Sequence, residues 1–275
     1  MKKILVTGAS SYVGARLYDD FKNRYSVKGT YLKNQFYSDL IKLDMRDKYQ
    51  VEKVVVEQSP DVIVHVAANA GAAWCEKNKE AAIEINQKSV GYFCDTANKV
   101  GAKLIFISSF AAINHKTVYA ETKRGAEKII EQKSNDYLII RPAHIVGYSP
   151  NTKNDRQFNR FLNNITETTP AVYDSSWKFQ PTYLKHISEL INEAIKKKLT
   201  GLTINVAVPE LKTRFDLAKD ILSPFEIDVT SKNANDNTPS FNEDLSELSK
   251  LDLPEYSYEE MINDIHKELK KLGYL

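Results

Sequence analysis

The sequence predicts a doubly wound α/β fold, a parallel sheet covered by helices on both faces, with a small C-terminal α/β lobe. Three observations predict it. Short, nearly continuous apolar runs recur through the first half of the chain: "KILVT", "DVIVHVA", "KLIFISS" and "DYLIIRP". Segments of helical periodicity separate them, and unbroken apolar strands alternating with helices are the pattern of a parallel sheet buried on both faces. A pair of glycines, Gly8 and Gly14, stands where the first run gives way to the first helical segment, the place where such folds turn sharply from strand to helix.

Element by element, "KILVT" reads as a buried strand, "VGARLYDDFKN" as a helix, "SVKGTYL" as a strand, "KYQVEKVVVEQ" as a helix and "DVIVHVA" as a strand. The pattern repeats with the helical "KEAAIEINQKSVGYFCDTANKV", the strand "KLIFISS", a helix around Tyr119 and the strand "DYLIIRP", which ends at Pro142. Beyond residue 145 the alternation weakens. "NDRQFNRFLNNITE" and "HISELINEAIKKKL" read as helices, "LTINVAV" as a strand and "TSKNANDNTPSFNEDL" as a polar connection. The tail "YSYEEMINDIHKELKKLG" opens on a Ser followed by Glu, the signature of a capped helix start. No internal repeat is visible. The expected division is a larger domain of residues 1–147 and 181–206 and a lobe of residues 148–180 and 207–275.

Composition narrows the function classes. The 275 residues carry 38 Lys and Arg against 36 Asp and Glu, a formal net charge of +2. This balance leaves no electrostatic footprint for nucleic acid or a membrane surface, and neither is expected as a partner. Cys75 and Cys94 form no metal or redox spacing and fit small buried residues in a reducing compartment. No metal site is expected. The opening "MKKILVTGAS" has its apolar run cut by Thr7 and Gly8, far short of a signal peptide's core, and no apolar segment is long enough to span a bilayer. The expected location is the cytoplasm.

The first strand ends in "VTGASSYVG", which puts backbone amides at a helix N-terminus above the strand end, an anion site. Ser11 replaces the middle glycine of the usual dinucleotide fingerprint. The second strand, "VKGTYLKNQF", carries no acid to grip a ribose; Lys28 and Lys33 flank its end and suit a 2′-phosphate, which favours NADP over NAD while leaving NAD open. "KLDMRD" puts Asp44 at the end of a third short strand, in position to accept from an adenine amino group. In "HKTVYAETKRGAEKII", Tyr119 and Lys123 are four residues apart, so a phenol and an ammonium share what reads as one exposed edge of a helix.

Taken in order, "TGASSYVG", "LDMRD", "DVIVHVAANA", "EAAIEINQKSV", "LIFISS", "YAETK" and "IIRPAHIVG" resemble the extended short-chain dehydrogenase/reductase superfamily, in register from residue 3 to about 147. Within it, "AANAGAAWCEKNKEAAIEIN" and the ending "NTPSFNEDLSELSKLDLPEYSYEEMINDI" look most like the dTDP-4-dehydrorhamnose reductase branch, whose relatives include the regulatory β subunit of methionine adenosyltransferase. The resemblance implies a Rossmann-type domain that binds NADP, or NAD, through Gly8, Ser10, Ser11, Tyr12, Val13, Gly14, Lys33, Asp44, Met45, Ala67, Ala68, Asn69, Tyr119 and Lys123. It gives Tyr119 the role of the acid that protonates a carbonyl oxygen. Lys123 stabilises the phenolate and binds the nicotinamide ribose. Ser109, rather than Ser108, polarises the carbonyl, and Phe110 stands where epimerase relatives carry their serine. Asn86 resembles the family's helix Asn that supports the active-site backbone and is expected, with Arg141 and Trp177, on the substrate side.

The function so implied is an NADP(H)-dependent reduction of a keto group on a nucleotide-linked sugar, by a homodimer if the superfamily's habit holds. Ser11 and the short stretch from Ser109 to Tyr119 keep open a cofactor-binding regulatory subunit. A nucleotide-sugar epimerase or dehydratase with retained NAD is the third reading. His65, inside its strand, reads as a satisfied core histidine.

Overall fold

The computed structural model describes residues 1–167 and 169–275. They form two compact units, one of Met1–Arg141 with Ile191–Ile204 and the other of Pro142–Leu190 with Asn205–Leu275.

The first unit runs β1 (Lys3–Thr7), α1 (Tyr12–Lys22), β2 (Ser26–Tyr31), β3 (Ile41–Lys42), α2 (Lys48–Gln58), β4 (Val62–His65), α3 (Ala72–Lys77) and α4 (Lys79–Ile83). A π-helical turn, Glu84–Lys88, leads into α5 (Ser89–Val100). Then come β5 (Lys103–Ile107), the single turn α6 (Ala111–Asn114), α7 (Val118–Lys133) and β6 (Tyr137–Pro142). The seven-stranded sheet has the order Leu202–Val206, β6, β5, β4, β1, β2, β3. β1 pairs in parallel with β2 and with β4, as do β2 with β3, β4 with β5, and β5 with β6. Strand order reverses between β1 and β4. In open α/β sheets that crevice, at the carboxyl ends of the strands, is where ligands bind.

The unbroken apolar strands follow from burial on both faces. Leu5, Ile63, Leu104, Phe106 and Ile139 pack with Val51 and Val55 of α2, Val90, Phe93 and Ala97 of α5, and Ala126 and Ile130 of α7. The alternate residues Ile4 and Val6 are equally buried, as are Leu17, Tyr18 and Phe21 on α1. Each such aliphatic side chain contributes about 1.5–3 kcal/mol relative to exposure. The helix predicted over residues 79–100 is real but not uniform. It widens at Glu84–Lys88, a bulge of the kind often found at functional sites, and this bulge carries Asn86.

In the second unit β7 (His144–Val146) pairs in parallel with β9 (Pro181–Tyr183), and β8 (Ala171–Asp174) with β11 (Val229–Lys232); Leu202–Val206 is β10. Three features differ from the sequence reading. The pairs β7–β9 and β8–β11 were not expected, and Val229–Lys232 turns the start of the supposed polar connection into a strand. A helix at Arg214–Leu222 was also missed, although Thr213 and Asp216 cap it reciprocally. The C-terminal helix Tyr258–Lys271 starts at Ser257 with Glu260 closing the same kind of box, as the "YSYEE" pattern predicted. Among the described residues no helix is long and apolar enough to cross a membrane, and no cluster of His, Cys, Asp and Glu could hold a metal. Cys75 and Cys94 are free and buried; burial pushes the Cys94 thiol up to about 12, which makes it inert.

Candidate active site

The floor of the site is the turn after β1. Gly8 has φ +66°, and a β-carbon on it would lie 3.0 Å from the Ala67 Cα. On Gly14 a β-carbon would stand 2.1 Å from the Gly8 carbonyl oxygen. The backbones after β1 and β4 therefore approach at a distance only glycine permits, leaving a cradle of main chain at the N-terminus of α1. Ser11 explains its own presence here. It is the N-cap of α1, its hydroxyl accepting from the Gly14 amide at 3.0 Å, so the serine replaces glycine with a cap while keeping the turn. Thr7 locks the two strand ends together. Its Oγ1 accepts from the amides of Val66 and Ala67 at 3.1 and 3.2 Å and lies 2.9 Å from His65 Nδ1. With both acceptor positions used, the Thr7 hydroxyl is left to donate to His65 Nδ1, while His65 Nε2 is buried without a hydrogen-bond partner, so the core histidine is only half satisfied. His65 is fully buried, and desolvation pushes its pKa down to about 3, so it is a neutral core histidine.

The adenosine side of a dinucleotide would meet the segments after β2 and β3. The Phe36 amide donates to Ser10 Oγ at 3.2 Å, which ties the loop carrying Lys33 to the glycine turn. Lys33 itself is exposed on that loop. Asp44, two residues beyond β3, is engaged by Arg46 through both carboxylate oxygens, with Nη2–Oδ2 at 2.5 Å. The Arg46 guanidinium holds its carboxyl below the usual range. An adenine amino group must therefore share this carboxylate with Arg46. Met45 packs against the sheet core.

β5, next to β4, leads into the segment of the expected reacting groups. Ser108 and Ser109 follow it, and their roles separate. Ser108 is buried and donates to Glu127 Oε1, whereas the partly exposed Ser109 accepts from the Ala111 amide at 3.2 Å. Of the two hydroxyls Ser109 is the one that remains accessible. Phe110 is fully buried. The short connection to α7 is held rigidly: Arg124 donates to the carbonyls of Ala112, Ile113 and His115 at 2.6, 3.3 and 3.0 Å. The first turn of α7 is fixed by Thr117 as N-cap and by Glu76, which accepts from the Val118 amide at 2.8 Å.

Tyr119 packs against the cluster of Cys75, Ala82 and Val118, as does Trp74. Lys123, one turn on, departs from the expected exposed edge. It is 2% exposed, its Nζ donates to the Ile107 carbonyl at 2.8 Å and lies 4.5 Å from the centroid of the Phe106 ring. Desolvation lowers its pKa to about 8, and the Glu127 carboxylate opposes that shift. An ammonium can be buried here because a carbonyl, a ring face and a carboxylate replace water.

Asn86 sits in the π-helical turn and clamps the backbone after β4. Its Oδ1 accepts from the Asn69 amide at 2.8 Å, and its Nδ2 donates to the Asn69 carbonyl at 2.9 Å and to Thr122 Oγ1 at 3.3 Å. Those bonds make it a support for the Ala67–Asn69 segment and α7, not a group aimed at substrate. Arg141 is likewise engaged, its Nε and Nη2 donating to the two oxygens of Glu127 at 2.9 and 2.6 Å. Trp177 is a core residue of the second unit, 6% exposed, packed on Phe179 and Phe241, with its N–H donated to the Pro239 carbonyl. The polar atoms of all three are engaged within their own units, Asn86 on the site's backbone, as in the supporting role the resemblance gave it, and Arg141 and Trp177 away from the substrate contacts expected of them. The sequence reading missed Thr7, Arg124 and Glu127; only Glu127 left a signal, an acid four residues past Lys123 on a helix face otherwise apolar.

What has been assembled is a main-chain cradle fit for a pyrophosphate, a hydroxyl, a phenol and a buried ammonium on adjoining strand ends. A family model described as the RmlD substrate binding domain matches residues 1–256. The spore coat polysaccharide biosynthesis protein SpsK of Bacillus subtilis is 26% identical over 207 residues, 70% of this chain and 69% of that protein. Methionine adenosyltransferase 2 subunit beta of Danio rerio is 31% identical over 244 residues, 82% of this chain and 75% of that protein. Among solved structures, dTDP-4-dehydrorhamnose reductase of Bacillus anthracis, in complex with NADP, superposes with a TM-score of 0.82 at 21% identity, covering 98% of this chain and 99% of that one.

Proposed function

The chain belongs to the RmlD substrate binding domain family, within the extended short-chain dehydrogenase/reductase superfamily, and from that premise we propose that it is an NADP(H)-dependent reductase of a keto group on a nucleotide-linked sugar. The observation that carries the reading is the burial of Lys123 against the end of β5, its Nζ donating to the Ile107 carbonyl, which ties the helix that carries Tyr119 to the strand that Ser108 and Ser109 follow. The NADP held by the Bacillus anthracis reductase supports the choice of cofactor, as does a second strand end that carries Lys33 and no acid.

In this reading Gly8, Ser10, Ser11, Tyr12, Val13 and Gly14 hold the pyrophosphate, Lys33 meets the 2′-phosphate, and Asp44 and Met45 border the adenine. Ala67, Ala68 and Asn69 line the way to the nicotinamide. When bound, the nicotinamide supplies the hydride for the carbonyl carbon. The Ser109 hydroxyl donates to the carbonyl oxygen and orients it, and the Tyr119 phenol delivers the proton that completes the alcohol. Lys123 lowers the cost of the phenolate left behind, since a fixed ammonium one turn away favours the negative form. The second unit is the substrate lobe. A cytoplasmic homodimer completes the proposal.

A second reading, a cofactor-binding regulatory subunit without turnover, is supported by the 31% identity to the adenosyltransferase subunit. Epimerase chemistry is disfavoured by the buried Phe110. Nicotinamide turnover across nucleotide-4-keto-sugars separates these readings. A reductase oxidises NADPH in step with substrate and prefers it to NADH by about tenfold, the scale of one charge-assisted contact. Tight NADPH binding with no turnover on any such sugar would favour the regulatory subunit, and a bound NAD recycled without net oxidation would favour the epimerase.

A further inference from the structure

Beneath the site, on the side of α7 facing β5 and β6, lies a buried carboxylate that the reaction does not use. Glu127 is 3% exposed, and its two oxygens take three donors: the Ser108 hydroxyl, Arg141 Nε and Arg141 Nη2. Its side chain shares a helix face with Lys123, four residues earlier. Lys123 in turn donates to the carbonyl of Ile107, the residue before Ser108. Ser108, Glu127, Lys123 and the Ile107 carbonyl thus close a ring through β5 and α7 at the residues just before Ser109, with Arg141 of β6 fastened to it through Glu127.

A carboxylate so placed has two consequences. Any slip of α7 along β5 would break both the Ser108 and the Lys123 bonds, so the ring fixes how far Ser109 stands from Tyr119. It also sets the local charge. Around the Lys123 ammonium are Glu127 of its own helix, on which Tyr119 stands one turn earlier, the Phe106 ring and Ile107 carbonyl of β5, and His65 of β4, which is neutral; Arg141 of β6 is bonded to Glu127. Glu127 is the one carboxylate among them. We propose that Glu127, clamped by Arg141 and Ser108, is a positioning residue whose carboxylate pins the end of β5 to α7 and supplies the countercharge that keeps Lys123 in its ammonium form. This rests on the reading of Lys123 as the ammonium that serves the phenol and the cofactor.

The electrostatics of the ring make opposite predictions for its two ends. Removing the carboxylate leaves Lys123 with desolvation alone, so its proton is lost at lower pH. Removing the Arg141 cation, which offsets part of the carboxylate's field, lets Glu127 hold that proton to higher pH. A role in packing alone would not give opposite signs.

The experiment follows the Lys123 amine by NMR in full-length protein carrying ε-labelled lysine, the signal being identified by its loss in Lys123→Met. Wild type should titrate near 8, Glu127→Gln about one pH unit lower, and Arg141→Gln higher by a similar amount. Equal midpoints, or shifts of the same sign, would overturn the proposal. Should Glu127→Gln fail to fold, Arg141→Gln decides alone, and a midpoint at or below that of wild type overturns it. NADPH is titrated into wild type in parallel by fluorescence. Opposite shifts without NADPH binding would uphold the ring and sink only the cofactor role of Lys123, whereas NADPH binding without the shifts would sink the ring and leave the cofactor reading standing.

Discussion

A β-carbon on Gly14 would stand 2.1 Å from the carbonyl oxygen of Gly8. That contact is with rigid main chain, so no rotamer change relieves it, and α1 would have to move away from β1 for any larger residue to fit. Gly14→Ala should therefore open the turn and weaken NADPH binding by at least about tenfold. Thermal unfolding should also move to lower temperature, as expected for a strained backbone. Isothermal titration and a melting curve on the same preparation check both, and unchanged affinity for NADPH would remove the turn from the cofactor site.

Ser108 and Ser109 make a paired prediction, because neighbouring hydroxyls have been given different work. Ser108→Ala removes a hydroxyl bonded to the buried Glu127 carboxylate, and a lost bond to a charged group costs about 1.5–3 kcal/mol of stability. Ser109→Ala gives up only the neutral bond from the Ala111 amide, a smaller loss of stability than in Ser108→Ala, and lowers turnover by about 10²-fold, the scale of one lost donor at a developing oxyanion. Urea unfolding and steady-state kinetics on both variants read the two effects independently. A reversal, with Ser108→Ala losing turnover at unchanged stability, would exchange the roles.

His65 predicts acid sensitivity. Its pKa is depressed by burial from the ordinary value of 6.5 to about 3, so the unfolded chain binds one more proton than the folded chain between those pH values. The stability it lends is fully present above about pH 6.5 and is lost as the pH falls towards 3, at up to about 1.4 kcal/mol per pH unit. His186, held near 4 by the same cause, adds to the slope. Urea midpoints should accordingly drop between pH 6.5 and 5, and less steeply in His65→Gln, which keeps an acceptor for Thr7 without a titrating group. The same slope in both proteins would mean that His65 is not held neutral.

How much of this was legible in the sequence depended on the range of the interactions involved. β1, β4 and β5 could be read because a strand buried on both faces leaves a continuous apolar run, and α7 because Val118, Ala126 and Ile130 keep one helix face apolar. The four strands of the second unit left no such trace. Each has three or four residues, and β8 and β11, which pair with each other, lie far apart in sequence. The Tyr119 and Lys123 spacing pointed to the site, but the burial of Lys123 could not be read from it. Burial is decided by the Ile107 carbonyl and Phe106 ring, brought from another element. For the same reason the engagement of Arg141 with Glu127 could not be read: a polar side chain in a familiar motif does not disclose whether its partner is a ligand or the protein itself.

The contrast between Tyr119 and Lys123 tests the chemistry most directly. Tyr119→Phe keeps the ring that packs beside Cys75, Ala82 and Val118 and removes only the proton donor. Turnover on a confirmed keto-sugar should fall by about two to four orders of magnitude, the scale of general acid catalysis, with NADPH affinity within a few-fold of the parent. Lys123→Met should lower both, since one ammonium serves the phenol and the cofactor; it also strips the Ile107 carbonyl of its donor and leaves Glu127 without its neighbour, so some loss of stability should accompany it. Turnover in Tyr119→Phe that stays within a few-fold of wild type would mean that the phenol is not the acid. The four-residue spacing would then reflect the packing of α7 alone, with Lys123 buried as a structural cation.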